Sequence, residues 1–217
     1  MEWPLFAGLP PEEATRWRDA ARRRRFRRGE VVFHYDDPGD TLHLVTRGRF
    51  AIRVMTPLGD VVTLALRGPG EAFGEMALVD EAARRSATVE ALEDGETYSV
   101  TREDFDRLRH DHPSVTDALV RLLAGELRRV NERLLEALFI PADRRVLRRI
   151  LELGERYGAT GEDVSIPLTQ EEIAAMAGTS RATVNRVLRG QEAAGTVRLA
   201  RGRVEILDLA GLQRRAR

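Results

Sequence analysis

The sequence predicts an α+β protein with an N-terminal β-roll, a long helix and a C-terminal winged helix-turn-helix domain. Glycines at residues 39, 48, 59 and 70 recur at a spacing of roughly ten residues, which is typical of an antiparallel roll or barrel. An apolar heptad pattern follows in residues 113–139. A capping box then opens a pair of short helices after residue 168.

The composition excludes several classes of protein. The 217 residues contain no cysteine, which excludes disulfides, zinc fingers, cysteine-ligated iron–sulfur clusters and a thiol nucleophile. No apolar run approaches the roughly 18 residues of a transmembrane helix, and no basic stretch precedes an apolar one at the N-terminus. We therefore expect a cytoplasmic protein without a membrane partner.

Charge is divided unevenly along the chain. All 35 basic residues are arginine, and the formal net charge is zero. Residues 1–141 contain 21 arginines and 25 acidic residues, whereas residues 142–217 contain 14 arginines and 10 acidic residues. The positive excess of the smaller part indicates a nucleic-acid partner, because guanidinium groups bind phosphate and guanine well.

The N-terminal part of the chain predicts a short helix followed by six strands. Residues 10–28 are interpreted as one helix that enters the arginine-rich run Arg22–Arg28. Such a run can mark a nucleic-acid patch, and the simpler interpretation is a solvated helix end that leads into a strand. The strands of the roll are expected at residues 30–34, 42–46, 50–55, 61–66, 87–92 and 97–100.

Residues 113–139 predict one long helix of roughly 40 Å. Apolar residues alternate at spacings of three and four, as in the seam of a coiled coil: Val120, Leu123, Leu127, Val130, Leu134 and Ala137. The helix is expected to pair with its counterpart in a second copy of the chain, and the alternative is packing against its own roll. Pro141 interrupts helical geometry, so we expect a hinge at Phe139–Asp143.

The C-terminal part predicts a helix at residues 144–157, a strand at 164–167 and a helical pair. Thr169 and Glu172 fit a capping box, Gly178 ends the first helix of the pair, and Ser180 can cap the second at residues 181–190. Residues 197–199 and 204–207 alternate as a hairpin that would form a wing. The expected domains are 1–112, 113–140 and 141–217.

One short motif combines groups that suit a phosphate and a sugar. Gly74 and Glu75 stand at the start of a short predicted helix, where free backbone amides can bind an anion and a carboxylate can accept hydrogen bonds from hydroxyls. Arg85 and Ser86 follow eleven and twelve residues after Gly74 and can supply a charge-assisted contact and a hydroxyl. A dinucleotide fingerprint is excluded at residues 68–74, because the spacing is wrong and no βαβ unit surrounds it.

The order of roll, long helix and winged helix-turn-helix, together with this motif, resembles the cyclic AMP receptor protein (Crp/Fnr) superfamily of bacterial transcription regulators over nearly the whole chain. The resemblance implies a cyclic-nucleotide-binding domain, a dimerisation helix and a DNA-binding domain. It assigns eight residues to the ligand: Gly74, Glu75, Met76, Ala77, Arg85, Ser86, Val130 and Asn131.

The resemblance also implies a role for each ligand residue. Glu75 would bind the ribose 2′-hydroxyl, Arg85 and Ser86 the phosphate, and the amides around Met76 and Ala77 would complete the cradle. Val130 and Asn131 occupy the positions that hold adenine in the family. Val130 has no polar side chain, so recognition of the purine is altered. Cyclic AMP is the expected ligand, with cyclic GMP, another nucleotide or no ligand as alternatives.

The start of the second helix of the pair predicts the DNA contacts. Arg181 and Arg186 are expected to contact base edges, since arginine binds guanine with two hydrogen bonds. Ala182 stands where the resemblance implies a glutamate that reads cytosine, so the operator is expected to differ. Phosphate contacts are expected from Thr169, Ser180, Thr183 and Arg189, whereas Val184, Val187 and Leu188 are expected in the core.

The sequence therefore predicts a homodimeric regulator that binds a palindromic operator in double-stranded DNA and is switched by a cyclic nucleotide. RNA polymerase would be a partner of an activator, with residues 158–163 as the contacting loop by resemblance alone. Two alternatives stay open: a ligand-independent regulator controlled by its abundance, and a cyclic-nucleotide-binding regulatory subunit that does not bind DNA. An enzyme and a metal site are not expected, because His110 and His112 lack further ligands at a useful spacing and no nucleophile–base pair is evident.

Overall fold

The computed structural model describes residues 3–6, 8–79, 84–158 and 164–216. The chain divides into two compact units. The first contains Met1–Met55 and Leu64–Arg129, and the second contains Thr56–Thr63 and Val130–Arg217. No helix in the described ranges is long and apolar enough to cross a membrane.

Two four-stranded sheets form the roll, with the strand orders β1-β8-β3-β6 and β2-β7-β4-β5. Strand β3 pairs antiparallel with both β8 and β6, and β7 pairs antiparallel with both β2 and β4. The strands are β1 Arg22–Phe26, β2 Val31–Phe33, β3 Thr41–Arg47, β4 Phe50–Met55, β5 Val61–Arg67, β6 Ala72–Phe73, β7 Thr88–Ala91 and β8 Gly95–Thr101.

The arginine-rich run is a strand and does not form the end of a helix. Helix α1, Pro11–Ala20, stops before the run, and β1 pairs with β8 along its whole length. Two arginines of the run, Arg23 and Arg25, form salt bridges with Glu96 on β8 at 2.5 and 3.2 Å. The expectation of one helix that enters the run is therefore wrong, because cross-strand pairing overrides the weak strand propensity of a charged segment.

Aromatic side chains fill one of the two apolar clusters of the roll. Phe26, Phe50 and Phe73 are buried in it, and the His43 ring stacks on Phe73 with a centroid distance of 5.0 Å. Burial lowers the pKa of His43 to about 3, and the nearby arginines add to that effect. The neutral ring is within hydrogen-bond distance of Thr97 at 3.1 Å, so His43 is a core residue.

Two helices follow the roll. Helix α2, Arg102–Asp111, begins at Thr101, whose hydroxyl accepts a hydrogen bond from the Asp104 amide. Helix α3, Pro113–Phe139, spans the boundary between the two units. Its first turns are buried with the second apolar cluster of the roll through Val115, Ala118 and Leu119. Four large residues of the predicted seam are more than half exposed: Val120, Leu127, Val130 and Leu134.

The second unit contains the predicted helix-turn-helix and wing. Its three-stranded sheet has the order β10-β11-β9, so the wing hairpin also pairs with the strand that precedes the helical pair. The elements are α4 Ala142–Arg156, β9 Val164–Ile166, α5 Gln170–Ala177, α6 Arg181–Ala193, β10 Val197–Ala200, β11 Arg203–Ile206 and α7 Leu209–Ala216. The helices enclose a core that includes Val146, Ile150, Ile173, Val184 and Leu188.

Candidate functional site

Six of the eight predicted ligand residues line one hollow in the first unit: Gly74, Glu75, Met76, Ala77, Arg85 and Ser86. The rings of Phe33 and Phe73 form part of its wall. Strand β6 leads directly into Gly74, and a 3₁₀ turn at Glu75–Leu78 follows. The local sequence thus places backbone amides, a carboxylate and a guanidinium around one space.

Gly74 is required by its conformation and by the space around it. Its φ of 84° lies in the left-handed region that glycine adopts readily. A Cβ added there would lie 2.8 Å from Nη1 of Arg85 and 2.9 Å from the carbonyl oxygen of Thr41. Any side chain at this position would therefore push against the arginine that the hollow is built around.

Arg85 is held firmly by its neighbours. Its backbone donates to the carbonyl of Asp37 and accepts from the amide of Asp36, each at 2.9 Å. Its Nη1 and Nη2 donate to the carbonyl and the hydroxyl of Thr41, both at 2.8 Å. The guanidinium carbon lies 4.0 Å from the centroid of the Phe33 ring. The side chain is consequently fixed in one orientation at the hollow.

The Nε of Arg85 has no hydrogen-bond partner. The residue is only 6% exposed, and its Nε is buried. No salt bridge joins Arg85 to Glu75 within the described part of the chain, so these two side chains do not neutralise each other as an ion pair. Burial lowers the pKa of Arg85, and the negative charges of Asp40, Asp37 and Glu75 act in the opposite direction. A buried cation with an unused N–H is suited to an anionic ligand.

Glu75 contributes a desolvated carboxylate to the same hollow. Burial raises its pKa, whereas its own backbone amide and the charges of Arg67 and Arg85 lower it. The charge of Glu126 raises it further. A carboxylate that is poorly compensated in this way is a good acceptor for the hydroxyl groups of a ligand.

The remaining wall of the hollow differs in detail from the expected cradle. The amide of Ala77 donates to the carbonyl of Gly74 at 3.2 Å, so a bound anion would share this amide with the Gly74 carbonyl. The hydroxyl of Ser86 lies 3.6 Å from the sulfur of Met76, whose side chain is 54% exposed. Val130 and Asn131 are exposed residues of α3 in the second unit and are not among the described residues that line the hollow.

The helix-turn-helix is capped as the sequence predicts. Thr169 and Glu172 form both hydrogen bonds of the capping box at the start of α5. Gly178 ends α5 in the left-handed region with a φ of 58°. The hydroxyl of Ser180 accepts from the amide of Thr183 at 3.2 Å and opens α6. The two N-terminal caps set where α5 and α6 begin, since they satisfy amides that a helix start leaves free.

The exposed face of α6 presents the predicted DNA contacts. Arg181 and Ala182 are exposed, and Arg181 forms no ion pair with any described residue. Arg189 lies 2.9 Å from Glu192. The three residues expected in the core, Val184, Val187 and Leu188, are buried.

Arg186 has a partner that the sequence analysis missed. Its Nη1 and Nη2 lie 2.9 and 2.6 Å from the two carboxylate oxygens of Asp143, near the start of α4. These hydrogen bonds lower the pKa of Asp143 and raise that of Arg186. Forty-three positions separate the two residues, so no local pattern could reveal the pair. The base contact expected of Arg186 would require this arginine to leave Asp143.

A groove beside α6 adds residues that the sequence analysis left out. Gln170, Asn185 and Arg203 are the additional residues, and they line the groove together with the predicted Arg181 and other residues of the wing. Asn185 donates to the side chain of Gln170 at 3.0 Å. On the wing, Glu205 pairs with Arg203 at 2.9 Å. The described residues contain no group of three His, Asp or Glu side chains that could hold a metal ion.

Comparison with known proteins identifies both units. Residues 23–112 match the model of the cyclic nucleotide-binding domain, and residues 144–215 match that of the Crp-like helix-turn-helix domain. The chain is 40% identical over 210 residues to the Cyclic AMP receptor protein of Thermus thermophilus, covering 97% of this chain and 95% of that protein. It is 33% identical over 216 residues to the CRP-like cAMP-activated global transcriptional regulator of Mycobacterium tuberculosis, covering 98% and 96%.

Solved structures agree with this assignment. The crystal structure of the Thermus thermophilus Catabolite Activator Protein is 38% identical, with 98% of each chain covered and a TM-score of 0.57. The c-di-GMP responsive global regulator CLP of Xanthomonas campestris shares the fold, with 23% identity, 91% of this chain and 99% of that chain covered, and a TM-score of 0.79. The chain belongs to the cyclic AMP receptor protein (Crp/Fnr) family. It is a DNA-binding transcription regulator with a cyclic nucleotide-binding domain, and it is not an enzyme.

Proposed function

We propose that this regulator is switched by a cyclic nucleotide that binds in the hollow, with cyclic AMP as the leading ligand. The observation that carries the proposal is the meeting of a guanidinium, a carboxylate and a hydroxyl, from Arg85, Glu75 and Ser86, in one hollow of the cyclic nucleotide-binding domain. The arginine would bind the cyclic phosphate together with Ser86, and Glu75 would accept the ribose 2′-hydroxyl. The amides of Met76 and Ala77 and the close approach at Gly74 would complete the cradle.

The choice of cyclic AMP is supported by relatives. Two proteins at 40% and 33% identity are described as a cyclic AMP receptor protein and as cAMP-activated. Asn131 is the side chain we assign to the purine, because it can donate and accept hydrogen bonds, whereas Val130 offers only apolar contact. Cyclic GMP is the runner-up, and its guanine would present a different pattern of donors to Asn131.

We propose a homodimer formed through helix α3. Val120, Leu127, Val130 and Leu134 leave an apolar stripe exposed along the helix, at the spacing of a coiled-coil seam. Soluble chains rarely expose such a stripe without a partner. Two copies related by a twofold axis would present two recognition helices to a palindromic operator, about 34 Å apart. The domains 1–112, 113–140 and 141–217 would move about the hinge at Phe139–Asp143.

On DNA, we assign base contacts to Arg181 and Arg186, with Ala182 as a methyl contact. Thr169, Ser180, Thr183 and Arg189 would bind phosphates. The cell compartment we infer is the cytoplasm, where the operator and RNA polymerase are found. The proposed polymerase loop, residues 158–163, lies outside the described residues except for Gly158, so it stays a prediction.

The test is calorimetric titration of the purified protein with cyclic AMP, cyclic GMP and cyclic di-GMP. Arg85→Ala should weaken cyclic AMP binding by about thirtyfold or more, because it removes the buried partner of a charged group. Arg22→Ala, which removes an exposed arginine from the same roll, is the matched control. Thermal melts check that both variants fold. Absence of heat with every nucleotide would favour the ligand-independent regulator instead.

A further inference from the structure

Arg67 is a buried cation on the wall of the hollow with no assigned contact to the ligand. It ends strand β5, and 8% of its side chain is exposed. Its Nε donates to the Ala72 carbonyl at 3.0 Å, and its Nη1 donates to the Leu66 carbonyl at 3.3 Å. Its Nη2 lies 2.6 Å from a carboxylate oxygen of Glu126 on helix α3. A buried guanidinium needs such a counter-charge, because desolvation is costly without one.

Glu126 connects this pair to the long helix. Its side chain is 23% exposed and forms a second salt bridge with Arg129, three residues further along α3. Burial would raise the pKa of Glu126, but hydrogen bonds and charges from Arg129 and Arg67 lower it below the ordinary value. The carboxylate is therefore ionised at neutral pH. One end of the Arg67–Glu126 pair lines the hollow, and the other belongs to the helix that continues into the second unit.

A third charge relates the pair to the ligand site. Glu75 lines the same hollow as Arg67. Burial raises the pKa of Glu75, the charge of Arg67 acts against this effect, and the charge of Glu126 adds to it. The field of Arg67 thus reaches two carboxylates in a region of low dielectric. A new negative charge in the hollow would compete with Glu126 for the same cation.

We propose that the Arg67–Glu126 pair is a latch that holds helix α3 in its ligand-free position, and that an anionic ligand in the hollow weakens it. The inference rests on the proposed function, because the competing charge is the cyclic phosphate. A contact that is stronger in the ligand-free state opposes ligand binding and the DNA-binding state alike. Breaking the latch should therefore strengthen both kinds of binding, whereas loss of a merely structural pair would weaken them.

The test compares Glu126→Gln with Glu132→Gln, a matched change on the same helix. Glu132 is exposed and forms no ion pair with the described residues. Fluorescence anisotropy with a labelled duplex, selected from a random pool by the wild type, measures DNA affinity without nucleotide and with saturating cyclic AMP. Glu126→Gln should raise the nucleotide-free affinity by about tenfold and reduce the effect of cyclic AMP by the same factor. Glu132→Gln should behave as the wild type.

Arg67→Gln provides a second test of the same contact. If Arg67→Gln folds, it should raise the nucleotide-free DNA affinity as much as Glu126→Gln does. The double variant should raise this affinity no further, since the two changes remove the same interaction. An unchanged or lower nucleotide-free affinity for Glu126→Gln would overturn the latch. Failure of the wild type to bind any cyclic nucleotide would instead refute the proposed ligand. The comparison of nucleotide-free DNA affinity between Glu126→Gln and the wild type would still test the latch.

Discussion

The hollow of the roll and the exposed face of α6 both rely on arginine, but they hold it in opposite ways. Arg85 is buried, donates two hydrogen bonds to Thr41 and has no hydrogen-bond partner for its Nε. Arg186 and Arg189 are exposed, and each pairs with an acidic residue. A buried arginine is thus held in one orientation and suits one ligand. An exposed arginine can exchange one ion-pair partner for another at little cost in free energy.

The contrast depends on what surrounds each arginine when its partner is absent. An exposed ion pair is worth little because water solvates both charges when it opens. A buried donor has no water to return to, so a ligand that satisfies it gains the full contact. Disturbing Arg85 or the space beside it should therefore have a larger effect than removing an exposed arginine of α6.

The largest effect is expected from Gly74→Ala, which places a Cβ against Arg85 and Thr41 and strains a left-handed backbone. We expect a loss of about 3 kcal/mol in the free energy of unfolding, together with loss of cyclic AMP binding. The control is Gly70→Ala, because Gly70 has a φ of 85° with nothing within 4 Å of its added Cβ. Denaturant melts check both variants. Equal losses of unfolding free energy for the two variants would show that backbone strain alone matters, and that the contact of the added Cβ with Arg85 and Thr41 does not.

The next effect is expected from Arg181→Ala on α6. Removal of a base contact should cost about 2 kcal/mol in operator binding and relax the preference at one base pair. Arg189→Ala should instead weaken binding equally across sequences and reduce the salt dependence, as loss of a phosphate contact does. Mobility shifts with the operator and its single-base variants measure both. An unchanged sequence preference for Arg181→Ala would contradict the base assignment.

A smaller effect of opposite sign is expected from Asp143→Asn. This change removes the carboxylate that holds Arg186, so the arginine becomes available to DNA and operator affinity should rise a few-fold. Glu155→Gln removes the same charge from the same helix, where Glu155 has no ion-pair partner in the described ranges. Anisotropy titrations compare the two variants. A rise of the same size for both would mean that overall charge, and not release of Arg186, is responsible.

The smallest effect is expected from Glu75→Gln in the absence of ligand. The folded protein raises the pKa of Glu75, so wild-type stability falls as the pH rises from the ordinary value of 4.5 through the raised one. Glu75→Gln should remove this loss and give a slightly higher Tm at neutral pH, while ligand binding is lost. Melts at pH 4 to 8 should show the difference growing with pH, and Glu103→Gln, at a residue 85% exposed, is the control. A lower Tm at neutral pH would contradict the buried-charge explanation.

Local patterns were enough to predict most of the fold. Strand β4 has the expected limits, and helix α3 covers the expected residues, because glycine spacing and heptad periodicity are read within short windows. Helices α2 and α7 and the two-residue strand β6 were not predicted. The strand geometry of the arginine-rich β1 was not predicted, because it depends on pairing with β8, about 70 residues away along the chain.

The candidate site shows the same division. Gly74, Glu75, Arg85 and Ser86 could be proposed from the sequence because they fall within one short segment, residues 74–86, that resembles a family motif. The roles of Arg67, Glu126 and Asp143 could not be found, since each depends on a partner brought close only by folding. Their burial and charge pairing are tertiary properties, and no spacing in the sequence encodes them.

The most direct test of ligand control is DNA affinity measured as a function of cyclic AMP. Anisotropy with the selected operator should show the wild type binding at least about tenfold more tightly at saturating cyclic AMP, a typical size for coupling between two sites. Arg85→Ala should lose that response at the same nucleotide concentrations. Equal wild-type affinity with and without cyclic AMP would contradict control of this regulator by cyclic AMP.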